Sequence, residues 1–379
     1  PPPPPHFLMI RRPPRSTLEA DRRQRQMCIR DRPEPAPQQE YMINSYSFTN
    51  ANGIIKLTEN TMLAEDITIT SSTHYFEFDS SNIFFDGNNK TITIENVDDF
   101  SGLFKNGDAS MDGKANITIK NVKIDISNST VIQTRGFLCQ NYFGKTSMNI
   151  LVENCSVTGN LPGNNSNGLF GEYTGSYGGE VTAKNCSFHG DIKAQFSSGI
   201  FGSYSGSSSG KVTAENCSFE GDITSIWSCG IFGFNAGVGS GNAIAENCYF
   251  KGDIVADNSI GIFGNNAGAT SGIALAENCY MVGSLNSGWA NGIFGQAAGS
   301  SGGSAEAKNC FFVGQLKGNG KGITITNNDL LNISNCYTVD TTNGQYWNDA
   351  SANQALNSDT IHIVTNSNKD NFSGNSIHA

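Results

Sequence analysis

An Asn-Cys dipeptide that recurs at a constant interval is the feature of this sequence that most restricts its fold. The dipeptide begins at Asn154, Asn185, Asn216, Asn247, Asn278 and Asn309, each 31 residues after the one before. A fixed period of this length is typical of repeat architectures, in which each unit packs only against its neighbours. The 379 residues are therefore expected to form one stacked body over the repeats, and not two or three separate globular domains.

A second signature, Gly-Leu/Ile-Phe-Gly, keeps the same interval as the dipeptide. It begins at Gly168, Gly199, Gly230, Gly261 and Gly292. The segments between the two signatures are short apolar runs separated by turns such as "GSYSGSSSG", and none has the length or pattern of a helix. Short strands at a fixed period predict an all-β fold, a parallel β-helix in which each repeat forms one coil.

Two apolar columns indicate which side chains point into this helix. The first column lies two residues before each Asn; it starts with Ile94, holds Ile or Val in the early coils and holds only Ala in the later ones. The second column lies three residues after each Asn and changes from Ile or Val to Phe or Met. Because one column shrinks where the other grows, both are expected to fill an interior of fixed cross-section. The same local pattern ends at Asn96 and Asn121, which brings the prediction to nine to eleven coils.

The repeat resembles a known group of proteins. "NGLFG", "SGIFG", "CGIFG", "IGIFG" and "NGIFG", together with the Asn-Cys strand, are similar to the GLUG-type repeats of bacterial surface proteins and to repeat proteins of large DNA viruses. The resemblance covers about residues 85–340, and "SNIFFDGNNKTITI" looks like the first coil of pectate-lyase-like helices. It implies a right-handed parallel β-helix, an architecture that carries both polysaccharide lyases and inert fibres.

The chain is predicted to contain three segments. Residues 1–40 hold eight of the nine arginines, and "FLMIRRPPRSTL" and "RQMCIRDR" look like translated sequencing adaptors. This segment is interpreted as a sequencing artefact, with a disordered tail as the alternative. Residues 41–340 are predicted to form the β-helix, with 41–90 as an N-terminal cap and first coils, and residues 341–379 are predicted to form a C-terminal cap and tail.

Composition and charge narrow the class of partner and the location. The formal net charge of −10 argues against nucleic acid as a partner. No apolar stretch approaches the length of a membrane span, and no signal peptide is visible. With 43 Gly and only 15% charged residues, the composition is typical of extracellular, cell-surface or virion β proteins, so one of these locations is expected.

The Asn and Cys columns are interpreted as structural ladders. Stacking brings like residues together, so the six Asn residues are expected to form a side-chain amide ladder at an inside turn, where burial would make the Asn-Cys-Ser sequons unusable for glycosylation. The slot after the Asn holds Val122 in an earlier coil, so the column is expected to consist of buried thiols. Disulfides between neighbouring coils and a metal site are the alternatives. The cysteines concerned are Cys155, Cys186, Cys217, Cys248, Cys279 and Cys310.

Three aspartates, Asp191, Asp222 and Asp253, occupy equivalent positions in successive repeats. Like charges one coil apart repel each other, so the carboxylates are interpreted as solvated, with a bound calcium ion as the alternative and no other cofactor expected. Together with Lys193 they are the candidate catalytic residues of a polysaccharide lyase or a glycoside hydrolase. Near-identical repeats argue against catalysis, because an active site requires unlike residues to converge at one place.

A mixed column of aromatic and Asn residues lies five positions after the aspartates. It contains Phe196, Trp227 and Trp289, with Asn165 and Asn258 at the other positions. Exposed aromatic rings can stack on sugar rings, and Asp222 and Asp253 are the candidates for hydrogen bonds to sugar hydroxyls. The interpretation favoured for this column is that the rings pack beneath the Gly-rich loops, with the sugar-binding platform as the alternative.

These observations predict a non-enzymatic structural or adhesive module of a cell or virion surface, with glycans or a host cell surface as the partner. The alternative is a polysaccharide lyase or glycoside hydrolase that acts on the outer face of the β-helix. Aromatic platforms favour the first function, and clustered carboxylates favour the second.

Overall fold

A computed structural model describes residues 41–127, 135–161, 163–317, 320–323, 331–340 and 361–362. The chain divides into two compact units, Pro1–Gln39 and Glu40–Ala379, and every described residue belongs to the second. The segment interpreted as an artefact and almost all of the predicted C-terminal cap lie outside the described residues. None of the described residues belongs to a helix long and apolar enough to cross a membrane.

The described residues of the second unit form parallel strands in three sheets and one short helix, α1 (Ser45–Asn50). The first sheet contains β1 (Tyr41–Ile43), β3 (Thr61–Leu63), β6 (Ile83–Asp86), β9 (Ile117–Lys120), β11 (Ile150–Glu153), β13 (Glu180–Lys184), β15 (Lys211–Glu215), β17 (Asn242–Glu246), β19 (Ile273–Glu277), β21 (Ser304–Lys308) and β23 (Leu331–Ser334). The second sheet contains β4 (Ile67–Ile69), β7 (Thr91–Ile94), β10 (Lys123–Asp125), β12 (Ser156–Thr158), β14 (Ser187–His189), β16 (Ser218–Glu220), β18 (Tyr249–Lys251), β20 (Tyr280–Val282), β22 (Phe311–Gly314), β24 (Cys336–Asp340) and β25 (Ile361–His362). The third sheet contains β2 (Ile54–Leu57), β5 (Tyr75–Phe78) and β8 (Phe104–Lys105).

The third sheet continues through the repeats as single parallel bridges. They link Phe104, Cys139, Phe170, Phe201, Phe232, Phe263 and Phe294. The Phe of each Gly-Leu/Ile-Phe-Gly signature therefore marks the third side of each coil. This arrangement confirms the predicted all-β parallel β-helix.

The pairing between coils is in register at the predicted period. Ala183 pairs with Ala214 and Ala214 with Ala245 in the first sheet, and Phe188 pairs with Phe219 in the second. About seven turns repeat at close to 31 residues, a count slightly below the nine to eleven coils predicted; the other strands of the two long sheets lie in end coils that depart from this period. The coils at both ends have other lengths, since Ile117 pairs with Ile150 and Ala305 with Leu331.

The two apolar columns fill the interior, as the sequence predicts. The Ala column and the Phe column are fully buried from Ala183 and Phe188 onward. Within the second sheet the rings of Phe219 and Phe250 stack at 4.7 Å with an interplanar angle of 5°. The Phe of the Gly-Ile-Phe-Gly signature forms a second buried stack, with Phe232 and Phe263 at 4.7 Å. Where successive coils carry Phe at these positions, they thus place like rings face to face.

One assignment made from the sequence is wrong: Asn96 does not belong to the Asn column. The strand before it, β7, lies in the second sheet, and its Ile94 pairs with Ile69. In the first sheet Lys120 pairs with Asp86, so Gly87 is the residue that corresponds to Asn121. Both strands of this coil carry alternating apolar residues before a turn, and the local pattern does not tell one sheet from the other.

The asparagine ladder is confirmed, but it lies at an outer corner between the first and second sheets. Asn185 and Asn216 adopt positive φ angles of 52° and 54°, a conformation that Asn tolerates better than most residues. Nδ2 of Asn216 donates to Oδ1 of Asn185 at 3.1 Å, and Nδ2 of Asn185 donates to Oδ1 of Asn154 at 3.2 Å. The side chains are exposed, so the expectation of an inside turn with buried amides is wrong. At the start of the ladder Nδ2 of Asn121 donates to a carboxylate oxygen of Asp86.

The first Gly of each Gly-Leu/Ile-Phe-Gly signature is required by close approach between coils. A Cβ atom on Gly230 would collide with the carbonyl oxygen of Gly261 in the next coil and would contact the ring of Phe219. Backbone atoms of a packed β-helix cannot move aside without breaking the bonds of neighbouring coils. Only Gly fits at this position.

We expect Gly230→Ala to lower the free energy of unfolding by about 1–3 kcal/mol, because the added methyl group overpacks the contact between coils. Gly288→Ala is the matched control, since no atom lies within 4 Å of a Cβ built there. Denaturant unfolding followed by circular dichroism measures both. Equal stability of the two variants would contradict the assigned role of Gly230.

Candidate carbohydrate-binding surface

The aromatic column predicted from the sequence has an unusual backbone conformation. Phe196 and Trp227 have φ angles of 56° and 59°, and Asn165 and Asn258 at the equivalent positions have 58° and 55°. The left-handed region is ordinary for Asn and unfavourable for bulky residues, at about 1–2 kcal/mol per residue. Two adjacent coils therefore carry a strained aromatic residue, and the coils on either side of them carry an unstrained Asn.

Phe196, Trp227 and Phe234 form a cluster that we call the aromatic patch. The rings of Phe196 and Trp227 are 6.3 Å apart with an interplanar angle of 13°, and Phe234 lies 5.8 Å from Trp227 and 6.4 Å from Phe196. Phe196 is 43% exposed, so it is not buried beneath the Gly-rich loops. The long distance between nearly parallel rings means that they are displaced sideways, which leaves part of each face open to a ligand.

Trp289, the third predicted aromatic residue, lies further along the same column. It is 47% exposed, and Asn258 occupies the coil between it and Trp227. The column therefore brings Phe196 and Trp227 together and places Trp289 two coils away from Trp227.

The sequence analysis missed a second aromatic column, Tyr142, Tyr173 and Tyr204, which we call the tyrosine stack. Neighbouring rings lie 4.8 and 4.9 Å apart with interplanar angles of 5° and 6°. All three tyrosines have positive φ angles, as do Asn235 and Asn266, which continue the column. The 31-residue interval between the tyrosines was the available signal, but it lay within segments that were interpreted only as Gly- and Ser-rich turns.

Stacking by itself does not identify a binding site in this fold. Tyr249, Tyr280 and Phe311 also stack, at 5.1 and 4.8 Å, on the outer side of the second sheet. Their strands have ordinary extended geometry, and the hydroxyl of Tyr249 donates to Glu220 at 2.7 Å. The aromatic patch differs because Phe196 and Trp227 have positive φ angles and Phe196 is also 43% exposed; backbone strain of this kind is a feature of functional sites.

Glu172 is a further residue beside the tyrosine stack that the sequence analysis missed. It precedes Tyr173, and its backbone N–H donates to Oδ1 of Asn141 at 2.9 Å. Burial raises the pKa of the Glu172 carboxyl above its ordinary value, because desolvation disfavours the charged form. The same carboxyl contributes to the raised pKa values of Tyr142 and Tyr173, after burial as the main cause.

The aspartate column is bonded to the main chain. The backbone N–H of Asp222 donates to Oδ1 of Asp191 at 3.1 Å, and that of Asp253 donates to Oδ1 of Asp222 at 2.9 Å. Asn160 and Ser284 extend the same series, since Asn160 accepts from Asp191 and Ser284 donates to Asp253. Each carboxylate thus accepts the N–H of the next coil, as Asn160 does through its amide oxygen.

Lys193 contacts one member of this column, with its Nζ 3.3 Å from Oδ2 of Asp191. Both side chains are substantially exposed, at 50% and 36%, so the pair contributes little to stability. In the described parts of the chain no three His, Cys, Asp or Glu side chains come together in a group that could hold a metal ion. Asp191, Asp222 and Asp253 follow one another along the column and do not surround a common point.

The structure places the cysteine column in the interior as free thiols. Cys155 through Cys310 and also Cys336 are buried, and all nine described cysteines are free. Sγ of Cys248 donates to the carbonyl oxygens of Ala214 and Glu246, both at 3.3 Å. Burial raises the pKa values of the Cys217 and Cys279 thiols well above the ordinary value, which keeps these two thiols protonated and unreactive.

Comparison with protein-family models, with curated proteins and with solved structures finds no match to this chain. The candidate sites therefore stand on the geometry alone.

We expect Phe196→Asn and Trp227→Asn to change the free energy of unfolding by less than about 1 kcal/mol. Asn relieves the backbone strain of about 1–2 kcal/mol, and this offsets the lost ring contacts of about 0.5–1.5 kcal/mol. Phe219→Ala, in the buried stack, should by contrast lose about 3–5 kcal/mol. Denaturant unfolding of the three variants tests this, and a core-sized loss in Trp227→Asn would show that the ring is structural.

We expect the nine described cysteines to resist alkylation by iodoacetamide in the native protein and to react fully after unfolding, because their thiols are buried away from the reagent. Peptide mass spectrometry after labelling with and without denaturant measures this. Native-state labelling within the column would contradict the buried-thiol assignment, and so would a disulfide between Cys217 and Cys248.

Proposed function

We propose that this chain is a non-enzymatic, structural or adhesive β-helix that binds glycans at the aromatic patch. The observation that carries the proposal is the strained pair of rings Phe196, which is 43% exposed, and Trp227, which is partly buried, at positions where the coils on either side have Asn. A large apolar residue that has a strained backbone and exposes its side chain to solvent does not stabilise the fold, so it is retained for a reason other than folding.

The chemistry of the patch suits a sugar ring. The C–H face of a pyranose packs on an aromatic face, and flanking polar groups bind its hydroxyls. Gln195 precedes Phe196 and Asn235 follows Phe234 in the sequence, so amide donors and acceptors border the rings. Asp222 and Asp253 lie along the same coils, with one carboxylate oxygen each engaged by the main chain and the other left for a hydroxyl.

The same geometry gives less support to a lyase or a hydrolase. A glycosidase needs two carboxylates placed on opposite sides of a scissile bond, and a lyase needs a base beside clustered carboxylates. Asp191, Asp222 and Asp253 instead repeat one hydrogen bond from coil to coil, and Lys193 contacts only Asp191. Location on a cell or virion surface agrees with an adhesive role and forms part of the proposal.

A glycan array with labelled wild-type protein and Trp227→Asn tests the binding. We expect wild type to bind one class of glycan and Trp227→Asn to lose about tenfold or more in affinity, because the stacking surface is gone. Ile273→Ala is the matched control: Ile273 is 48% exposed on the first sheet, and its loss should leave binding unchanged. Wild-type binding that persists in Trp227→Asn would refute the role of the patch.

Incubation of the bound glycans with the protein, followed by assays for new reducing ends and unsaturated products, separates binding from catalysis. We expect no turnover by wild type. Turnover that Asp222→Asn abolishes would overturn the non-enzymatic proposal, since an Asn at this position keeps the hydrogen bond to the main chain and removes only the carboxylate.

A further inference from the structure

A cavity opens at the N-terminal end of the tyrosine stack, outside the aromatic patch. Its volume is about 390 Å³, and it is lined by Tyr75, Lys105, Asp108, Arg135, Gln140 and Tyr142, among others. This volume falls within the range of about 300–1,000 Å³ that is usual for small-molecule sites. Tyr75, Lys105 and Asp108 come from coils that precede the one containing Tyr142, so the cavity lies on the side of Tyr142 that faces away from Tyr173.

The cavity exists because the stack ends there. Tyr173 covers one face of the Tyr142 ring at 4.8 Å. On the other side lies the preceding coil, which is hydrogen-bonded to this one: the carbonyl oxygen of Asn106 accepts from the N–H of Gly144 at 2.8 Å. The residue after Asn106 is Gly107, which has no side chain to place against the ring. Inner rings of the stack cover each other's faces, whereas Tyr142 is partly exposed and lines the cavity.

Polar side chains surround this ring in the pattern of a sugar site. Gln140 is 8% exposed, and its Nε2 donates to the carbonyl oxygen of Gly102 at 2.9 Å, which fixes the orientation of the amide. Lys105 is held between Glu77 at 3.1 Å and Asp108 at 3.4 Å. Rigid polar groups around one aromatic face provide orientation and specificity for a hydroxylated ring.

The charges in and beside the cavity cancel. Lys105 contacts two carboxylates, Glu77 and Asp108, and Arg135 supplies the second positive charge. Hydrogen bonds from Ser110 and Met111, with the contact to Lys105, lower the pKa of Asp108 to about 2 although partial burial opposes them. Lys105 and Arg135 thus balance Glu77 and Asp108, and the next nearest charges, Lys145, which donates to the carbonyl oxygen of the lining residue Ala109, and Glu172, beside Tyr142, add one charge of each sign. An anionic ligand gains little from such a site, and a neutral one avoids uncompensated charge.

We propose that this cavity binds one neutral pyranose residue of a glycan, with the ring packed on Tyr142 and its hydroxyls bonded by Arg135, Lys105 and Gln140. The site shares a ligand class with the proposed function but uses none of the residues of the aromatic patch. Either site can therefore fail while the other stands.

Saturation-transfer NMR with methyl glycosides of glucose, galactose and mannose, and with methyl glucuronoside as the anionic probe, tests the proposal. Tyr142→Asn is the key variant, because Asn235 and Asn266 already occupy this column with the same backbone conformation, so the variant should fold. Tyr204→Asn, at the other end of the stack, is the matched control. We expect at least one neutral glycoside to bind wild type, Trp227→Asn and Tyr204→Asn alike, and Tyr142→Asn to lose about tenfold in affinity.

A second arm repeats the titration at low and high salt. Affinity for the neutral glycoside should not depend on salt, because no net charge is neutralised on binding. Three results would overturn the proposal: no binding of any neutral glycoside, equal binding by Tyr142→Asn, or a preference for the glucuronoside that weakens with salt.

Discussion

Parallel pairing in register, which within the regular repeats places each strand residue opposite its counterpart 31 positions on, is the constraint on which the rest of this structure depends. Once this register is fixed, each column must hold residues that can stack on themselves at the spacing of adjacent strands, about 4.8 Å. Side-chain amides meet this requirement because each can donate to one neighbour and accept from the other, as Nδ2 of Asn216 donates to Oδ1 of Asn185. Aromatic rings solve it by lying flat on one another, as Phe219 and Phe250 do. Stacked carboxylates repel one another, and each aspartate offsets part of this repulsion by accepting a hydrogen bond from the backbone N–H of the next coil.

The period and the inward columns could be predicted because they depend only on spacing and side-chain volume. The position of the asparagine ladder could not, because Asn suits both a buried amide ladder and an exposed left-handed corner. The positive φ of 54° at Asn216 is a backbone property that no pattern of neighbouring residues reveals. The assignment of Asn96 to the ladder was wrong for a related reason. Alternating apolar residues before a turn occur in both long sheets, and only the pairing of Ile94 with Ile69 shows that this strand belongs to the second sheet.

The two candidate sites lie where the repetition is broken. A residue that recurs in every coil serves the contact between coils, and its substitution would disturb the stack. Phe196 and Trp227 interrupt a column of left-handed Asn, and the cavity lies where the 31-residue interval gives way to the longer offset between Phe104 and Cys139. The sequence could identify the first break, since an aromatic residue replaces Asn. The second break, at the cavity, could not be identified from the sequence, because it depends on how the preceding coil packs beside Tyr142.

The two sites also lie along one side of the coils, and this bears on the affinity each needs. The N–H of Tyr204 donates to the carbonyl oxygen of Phe234 at 2.8 Å, so the tyrosine stack lies directly beside the aromatic patch. Two coil spacings, about 10 Å, separate Tyr142 from Tyr204. A glycan long enough to reach from the cavity to the patch would make its second contact intramolecularly, at an effective concentration in the millimolar range. Weak stacking on single rings then suffices for an adhesive module, and neither site has to bind a lone sugar tightly.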